Sequence, residues 1–255
     1  MMSDSKARYR NGYRGGMNKY DFSLLSIGRA FLLLLIPIIA WSIAAFPVVY
    51  SIIFLTRFLN LSNIFHALLF TFLLTLELFL FIILETFIPA LFIKGMNLKV
   101  EEGVHDISIK DKNFFRYILF FILYRTSLKI VGFLPLLPLR IRFLKLVGLK
   151  MGKSSVLAGS EIIHDPYAVE IGEQTLIGGY SWILGHITEE KLMVKKVKIG
   201  NNCIIGGGAV IMPGVIIEDN VVVGINTVVP KNRVLKAGGV YVGNPAREVK
   251  RREES

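Results

Sequence analysis

Histidine is the side chain in this sequence best suited to proton transfer, and two of the four histidines lie where a regular repeat is interrupted. A neutral imidazole can take a proton from a hydroxyl or an amine near physiological pH. His186 lies in Leu184-Gly-His-Ile-Thr-Glu-Glu-Lys191, and His164 lies in Ile163-His-Asp-Pro-Tyr167. The sequence therefore predicts acid–base chemistry at His186. His164 is interpreted as a turn residue beside Asp-Pro, with help in building a neighbouring acceptor site as the alternative.

Other side chains that could carry chemistry are few. The single cysteine excludes an internal disulfide framework and a cysteine-rich zinc fold. Four histidines make a multi-histidine metal site hard to build. We interpret His66 and His105 as interfacial and surface residues, and we interpret a lysine-rich segment as a solvated face. That segment contains Lys195, Lys196 and Lys198.

From Lys150 onward, aliphatic residues recur every six positions, a period that neither an α-helix nor an ordinary strand produces. The period predicts a parallel β-helix, in which each hexad makes one short strand and one turn and three hexads close a coil. Twelve hexads fall into four groups of three, so about four coils are expected. Their first residues are Met151, Leu157, Ile163, Ile171, Ile177, Ile183, Ile199, Ile205, Ile211, Ile217, Val223 and Val229.

Small residues and glycines occupy the expected corners of the coils. A small residue stands two positions before many of the aliphatic starts, and glycine often follows the start, where a larger side chain would crowd the turn. Cys203 takes one of the small positions, so we interpret it as a packing residue rather than a reactive thiol. The small residues are Thr175, Ser181, Cys203, Ala209 and Thr227, and the glycines are Gly172, Gly178, Gly200, Gly206 and Gly224.

The repeat breaks at two places, and breaks in a solenoid often carry function. Two extra residues separate Ile163 from Ile171. The step from Ile183 to Ile199 is longer than one hexad by about ten residues. This longer break predicts a loop that leaves the coil, with His186 at its exit.

The N-terminal half is strongly apolar. Mean hydropathy is +0.55 and 53% of the residues are hydrophobic, which is too high for an ordinary soluble protein. The run from Ala30 to Thr56 carries no charge, and only two glutamates interrupt the run from Ile64 to Ile93. Each run exceeds the roughly 20 apolar residues that a spanning helix needs. The short Arg57–Asn63 link therefore predicts a hairpin of two transmembrane helices.

The basic excess flanks this apolar region. The formal charge is +11, and most of it lies in residues 1–23 (including Lys6 and Lys19) and 94–150. Flanking charge agrees with the positive-inside rule and with attraction to anionic lipid. Nucleic-acid binding would need a basic stripe on the folded domain instead, so no nucleic-acid partner is expected. We expect a protein of the cell membrane with its N-terminus and its C-terminal domain on the cytoplasmic side.

Two features of the apolar half leave alternatives open. Glu77 and Glu85 either mark a polar path or a lipid-borne substrate, or face a partner helix or the interface, and the second interpretation is favoured. Residues 114–150 mix apolar and basic side chains, and Pro135 and Pro138 divide them. They are expected to form amphipathic helices in the membrane interface, with a third or re-entrant span as the alternative.

Three segments of the second half carry a resemblance to a known family. They are the histidine before the extruded loop, the stretch Val197-Lys-Ile-Gly-Asn-Asn-Cys-Ile-Ile-Gly-Gly-Gly-Ala-Val-Ile-Met-Pro-Gly-Val215, and the closing Val242-Gly-Asn-Pro-Ala-Arg247. With them, Gly148 to Arg247 resembles the hexapeptide-repeat acyltransferases, the superfamily of galactoside, maltose and serine acetyltransferases. The membrane anchor, the Gly148 lead-in and His186-x-x-Glu189-x-Lys191 resemble the membrane-embedded terminal portion of polylysine-type nonribosomal peptide synthetases.

The resemblance implies a membrane-anchored acyltransferase, active as a homotrimer with sites between subunits. The donor would be a coenzyme A thioester, acetyl-CoA, and no metal is implied. The acceptor would be a hydroxyl or amine of a sugar, or of a lipid-linked or other membrane-associated molecule. His186 matches the catalytic histidine as general base, and Glu189 is assigned to orienting it or touching the acceptor. The donor-binding residues that match are Gly207, Gly208, Ala209, Asn226 and Thr227, with Lys231 and Arg247 as partners for the donor phosphates.

The expected architecture is an N-terminal α-helical membrane hairpin with interfacial helices, followed by an all-β, left-handed parallel β-helix. The handedness comes from the resemblance, because the period alone does not set it. The expected divisions are a basic N-terminus at 1–23, two transmembrane helices at 24–93, an interfacial segment at 94–147, the β-helix at 148–247 and a charged tail at 248–255.

Two other functions stay open at this point. A zinc carbonic anhydrase of the left-handed β-helix type needs three converging histidines. Only His164 and His186 lie in the repeat region. A noncatalytic trimeric membrane scaffold predicts that His186→Ala has no effect on the cell.

Overall fold

A computed structural model of the chain describes residues 23–133 and 136–249. Helix α1 runs from Leu24 to Phe58 and helix α2 from Ile64 to Gly95, and the two pack against each other. The side chains of Ser23 and Asn63 cap their N-termini by accepting backbone N–H hydrogen bonds. The predicted basic flank with Lys6 and Lys19, Pro135 and the tail after residue 249 lie outside the described residues.

Both helices are long enough and apolar enough to cross a membrane. They have 35 and 32 residues, so each is about 50 Å long at 1.5 Å per residue. The hydrocarbon core of a bilayer is about 30 Å thick. Large apolar side chains such as Phe31, Phe46 and Phe72 are exposed along them. The pair therefore meets the length and composition requirements of a membrane hairpin.

Helix α1 begins before the charge-free run because its one early charge has protein partners. The guanidinium of Arg29 donates to the carbonyl oxygens of Ile109 and Lys110, at 2.8 and 2.5 Å. It also lies 5.6 Å from the ring centroid of Phe115. A charge satisfied in this way does not end an apolar helix, so the uncharged run underestimated its length.

Two further helices cover the beginning of the second half. Helix α3 runs from Lys112 to Gly132 and helix α4 from Leu137 to Leu146. Their buried side chains, among them Phe120, Tyr124 and Phe143, join one hydrophobic core with the first coil that follows. Among the described residues, only α1 and α2 are both long enough and apolar enough to cross a membrane, so α3 and α4 are not. Because the end of a solenoid exposes an apolar column, it needs such a cap. The buried faces of α3 and α4 therefore meet protein, and the interfacial placement of this segment stays a prediction.

The second half is a left-handed parallel β-helix. A short strand, β1 (Gly103–His105), precedes it. The strands that follow are β2 (Lys150–Met151), β3 (Val156–Leu157), β4 (Ile162–Ile163), β5 (Val169–Ile171), β6 (Leu176–Ile177), β7 (Trp182–Ile183), β8 (His186–Thr188), β9 (Leu192–Val194), β10 (Val197–Ile199), β11 (Ile204–Ile205), β12 (Val210–Ile211), β13 (Ile216–Ile217), β14 (Val222–Val223), β15 (Val228–Val229), β16 (Val234–Leu235), β17 (Val240–Val242) and β18 (Arg247–Val249).

Three parallel sheets form the faces of the prism. In chain order along the axis they are β2-β5-β10-β13-β16, β3-β6-β11-β14-β17 and β4-β7-β12-β15, and β18 adds antiparallel to β17. The predicted aliphatic starts stack in register, as Ile177 with Ile205 and Ile205 with Val223. A Cβ on Gly206 would lie 2.6 Å from the backbone of the next coil, so glycine permits the close stacking.

The interior confirms the sixfold period and extends it. All the predicted starts except Met151, which is half-buried, are buried. Leu235 and Tyr241 continue the interior column into a partial fifth coil beyond the predicted twelve hexads; Leu235 keeps the sixfold period, and Tyr241 replaces the aliphatic residue at the next step. Cys203 is buried in its corner, and burial raises the pKa of its thiol, as expected of a packing residue.

Candidate active site

The two breaks of the repeat lie one above the other. Strand β4 pairs with β7 so that Ile163 stands beside Ile183, which brings the residues after each strand together. The first break forms a short 3-10 helix, Pro166–Ala168. The second leaves the coil as an antiparallel hairpin of β8 and β9, and β1 extends this sheet along the outer edge of β9. A Cβ on Gly185 would lie 2.8 Å from the Cβ of Asp165, so only glycine allows this contact.

His186 forms a close pair with Asp165 at this junction. Its Nδ1 lies 2.6 Å from Asp165 Oδ2, and the side chains are 14% and 1% exposed. The same carboxylate oxygen accepts the N–H of Gly185 at 3.1 Å. A buried carboxylate on Nδ1 favours a proton on that nitrogen and leaves the lone pair of Nε2 free to act as a base. The arrangement is the one that a histidine general base requires.

The hydroxyl groups of two tyrosines also contact this pair. Tyr117, on α3, has its hydroxyl 2.8 Å from His186 Nε2, and its ring lies edge-on to the imidazole at 4.8 Å. Burial, with a contribution from Asp165, raises the pKa of Tyr117 to about 12. Tyr167 donates to the other oxygen of Asp165 at 3.4 Å. Burial first, and then Asp165, raises the pKa of Tyr167 well above its usual 10, so both hydroxyls are neutral donors at physiological pH.

His164 lies beside the pair without joining its hydrogen bonds. Its ring centroid is 5.9 Å from that of His186 and 5.6 Å from that of Trp182. Its Nε2 is buried and has no hydrogen-bond partner within the described part of the chain. Burial lowers the pKa of His164, against the raising effect of Asp165. Within residues 23–133 and 136–249, no three His, Cys, Asp or Glu side chains come together as a metal-ligand group.

Glu189 does not take the place that the sequence suggested beside His186. It lies at the tip of the hairpin, where its carboxylate is 2.8 Å from Lys231 Nζ. Asp165 is the residue that contacts Nδ1 instead. The sequence held a signal for this, because the third hexads of the first two coils stack and place residue 165 beside residue 185. Tyr117 had no comparable signal, since it comes from a helix outside the repeat.

The β8–β9 hairpin is fixed to its surroundings by exposed polar contacts. Lys191 Nζ lies 2.8 Å from Asp106 Oδ1, and this contact lowers the pKa of Asp106. Lys195 Nζ donates to Asn232 Oδ1 at 2.7 Å. The backbone N–H of Lys196 donates to Glu102 at 2.9 Å. Two of the lysines interpreted as a solvated face therefore tie the hairpin to the coil and to the segment before α3.

The predicted donor-binding residues gather at a different corner. Gly208 donates its N–H to Gly179 O, and Asn226 donates its N–H to Gly207 O, both at 3.0 Å, so successive coils stack there. Asn226 is exposed. Ala209 and Thr227 are fully buried, so they shape the corner from the inside.

The two cationic residues predicted for the donor phosphates are exposed. Lys231 follows β15, at the corner of the prism that carries His186 two coils earlier. Its ammonium group is paired with Glu189. Arg247 begins β18, and its side chain is also exposed.

Comparison with known proteins identifies the repeat. Residues 196–231, which contain β10 to β15, match the family model described as bacterial transferase hexapeptide (six repeats). A comparison with curated proteins finds no match.

Several solved structures are similar to part of the chain. A maltose O-acetyltransferase from Clostridium difficile 630 is 26% identical, over 46% of this chain and 76% of that chain, with a TM-score of 0.39. A hexapeptide-repeat acetyltransferase from Vibrio cholerae is 19% identical over 50% and 88%, with a TM-score of 0.42. A galactoside acetyltransferase in complex with coenzyme A is 20% identical over 44% and 70%, with a TM-score of 0.37.

Proposed function

We propose that this protein is a membrane-anchored acyltransferase that moves an acetyl group from a coenzyme A thioester to a hydroxyl or amine. The observation that carries the proposal is the Asp165–His186 pair at the large interruption of a bacterial transferase hexapeptide helix. A buried carboxylate behind a histidine supplies a general base, which transfer to a hydroxyl or amine requires.

The proposed reaction runs through a tetrahedral intermediate. His186 Nε2 accepts the proton of the acceptor as the acceptor's oxygen or nitrogen attacks the thioester carbonyl. Asp165 stabilises the imidazolium that forms, as a buried carboxylate does in a catalytic triad. Backbone N–H groups at the glycine corners are candidates for holding the oxyanion. The intermediate then collapses, the C–S bond breaks, and the thiolate takes the proton from His186.

The donor corner supports a long, thin thioester arm. Gly207 and Gly208 leave backbone groups accessible there, and Asn226 offers a polar side chain. We assign Lys231 and Arg247 to the donor phosphates, which bind cationic side chains. In the structure Lys231 is paired with the carboxylate of Glu189, so a bound donor phosphate would replace that carboxylate as the partner of Lys231.

The placement of the two corners supports a homotrimer. His186 follows the strands of the four-stranded face and the donor corner precedes them, so they lie at opposite edges of that face. One chain cannot easily join them, whereas a neighbouring copy can. Apolar side chains on the outside of two faces, Leu176, Ile204 and Trp182, are 44%, 47% and 45% exposed and would be covered in such an assembly.

The helical hairpin supports anchoring in the cell membrane, with the catalytic domain on the cytoplasmic side. The domain follows α2, whose end carries Lys94 and is followed by Lys99. Helix α3 joins the hairpin to the site, because it packs on α2 and carries Tyr117. We infer that the acceptor is membrane-associated, such as a lipid-linked sugar.

Release of free thiol from acetyl-CoA tests the proposal. The intact chain is solubilised in dodecyldimethylamine oxide, which has no hydroxyl or amine, and is offered dodecyl β-D-maltoside or dodecylamine. We expect His186→Ala and Asp165→Asn to lower turnover about 10²–10⁴-fold, the usual range for loss of a general base or of its orienting carboxylate. His66→Ala is the matched control. His66 lies in the first turn of α2, at the end of the α1–α2 hairpin away from the β-helix, and the variant should keep full turnover. Equal turnover in His186→Ala, or no thiol release with either amphiphile, would refute the proposal.

A further inference from the structure

The nitrogen that must accept a proton is already in contact with a hydroxyl. Tyr117 comes from α3, outside the repeat, and its oxygen lies 2.8 Å from His186 Nε2. An acceptor that gave its proton directly to Nε2 would need this same position. The contact therefore either lies on the path of the proton or has to be broken before reaction.

The direction of this hydrogen bond follows from the other side of the ring. Asp165 holds the proton on Nδ1, so Nε2 can only accept and the Tyr117 hydroxyl donates. A phenol keeps two lone pairs while it donates its one hydrogen. The oxygen of Tyr117 can therefore receive a hydrogen bond from an acceptor while it donates to His186.

Packing holds the Tyr117 ring in place from several sides. The centroids of Phe114 and Phe121 lie 6.2 and 6.1 Å from it. Phe114 and Tyr117 also pack against a small buried cluster of Val100, Leu192 and Val194, which includes two residues of the hairpin strand β9. The ring would lose all these contacts if it swung away. A fixed ring favours a role on the proton path over a role as a moving lid.

We propose that Tyr117 relays the acceptor's proton to His186, an inference that rests on the proposed function. The acceptor gives its proton to the Tyr117 oxygen as the Tyr117 proton moves to Nε2, and the freed electron pair forms the bond to the thioester carbonyl carbon. When the C–S bond breaks, the thiolate takes a proton back along the same path. The products are acylated acceptor and free thiol, with Tyr117 and His186 neutral again. The catalytic centre would then include a residue of the helix that packs against the membrane hairpin.

Tyr117→Phe is the direct test, because it keeps the packed ring and removes only the hydroxyl. In the thiol-release assay, with the faster of the two amphiphiles as acceptor, we expect kcat to fall at least 10²-fold. The KM for acetyl-CoA should change less than about twofold, since the ring and the donor corner stay in place. Thermal unfolding should show that the variant is still folded at the assay temperature.

Tyr124→Phe is the matched control. Tyr124 lies on the same helix, and its hydroxyl donates to the carbonyl of Ile163, so it also ties α3 to the β-helix. This variant should lose thermal stability, because a buried carbonyl loses its donor, and it should keep kcat within about threefold. An equal loss of kcat in the two variants would show that docking of α3 matters rather than the hydroxyl on Nε2, and would overturn the relay.

The number of protons in flight gives an independent readout. In mixtures of H₂O and D₂O, a relay moves two protons together, so the unchanged protein should give a curved dependence of rate on deuterium fraction. A straight line in the unchanged protein overturns the relay. So does an unchanged or raised kcat in Tyr117→Phe, which would mean that Tyr117 obstructs the base. The activity of the His186→Ala variant separates the two proposals. Full activity in His186→Ala means that the proposed function fails. An inactive His186→Ala beside a fully active Tyr117→Phe means that only the relay fails.

Discussion

At the scale of single residues, the candidate site depends on two polar groups with very different partners. Asp165 is buried but accepts hydrogen bonds from His186, Gly185 and Tyr167, so its charge is compensated. His164, the preceding residue, has an imidazole nitrogen that is buried with no partner in the described part of the chain. An unpaired buried group is costly, and for a histidine the cost is greatest when it is protonated.

His164 should make the protein less stable in mild acid. Its pKa in the folded chain is lowered by burial, with Arg125 and His186 acting in the same sense and Asp165 opposing them. As pH falls through about 6.5, the unfolded chain binds a proton before the folded chain does, so stability is present above that pH and is lost below it. We expect the melting temperature to fall less between pH 7.5 and 5.5 in His164→Phe than in the unchanged protein. Identical pH slopes in the two proteins would contradict this account.

At the scale of elements, α4 is fastened to the first coil by a buried ion pair. Arg140 Nε lies 3.1 Å from Glu161 Oε1, and a second guanidinium nitrogen donates to the carbonyl of Glu161 at 2.5 Å. The other carboxylate oxygen accepts the N–H of Gly159 at 2.6 Å. The Glu161 side chain is fully buried, and Arg140 is its only cationic partner in the described structure. The pair positions the helix that closes the open end of the β-helix.

Arg140→Met should therefore lower stability by about 3–5 kcal/mol, because it leaves a buried carboxylate without its cation. Urea unfolding of the detergent-solubilised chain measures the change. Adding Glu161→Gln should recover part of the loss, since the buried charge is then gone while Gly159 keeps an acceptor. A single variant as stable as the unchanged protein would mean that the carboxylate finds water or another cation.

At the scale of the whole molecule, α3 connects the helical hairpin of α1 and α2 to the candidate site. It packs on α2, and Ser127 donates to the carbonyl of Glu85 at 3.1 Å. On its other side it reaches the β-helix through Tyr117 and Tyr124. Within the hairpin, Ser51 donates to Glu77 at 2.5 Å, so this glutamate faces the neighbouring helix, which agrees with the favoured interpretation of the sequence.

The proposed topology can be tested by cysteine labelling in sealed right-side-out membrane vesicles. Ser62, in the link between α1 and α2, and Lys153, in the first coil, are both exposed. Cys203 is buried, so the native chain should give little background. We expect a membrane-impermeant maleimide to label Ser62→Cys in intact vesicles and Lys153→Cys only after they are opened. Labelling of both from one side would exclude a single membrane crossing by α2 between them.

The sequence by itself determined the β-helix, twelve of its hexad starts and the place where the β8–β9 hairpin leaves it. These follow from a local period, because each hexad stacks on the one a full coil away and repeats the same burial. It also indicated two long apolar helices, and it singled out His186 as the candidate general base, a role that stays a prediction. The same stacking register could also have predicted Asp165, but the Asp-Pro sequence favoured the interpretation of this segment as a turn.

Only the tertiary structure decided what surrounds His186. The contact with Tyr117, the pairing of Glu189 with Lys231 and the addition of β1 to the β8–β9 hairpin each join residues far apart in the chain, at least one of which lies outside the hexads. No period links such segments, so their contacts depend on how whole helices and strands pack. The apolar face of α3 illustrates this, since hydrophobicity alone does not distinguish a surface that meets lipid from one that covers the end of a solenoid.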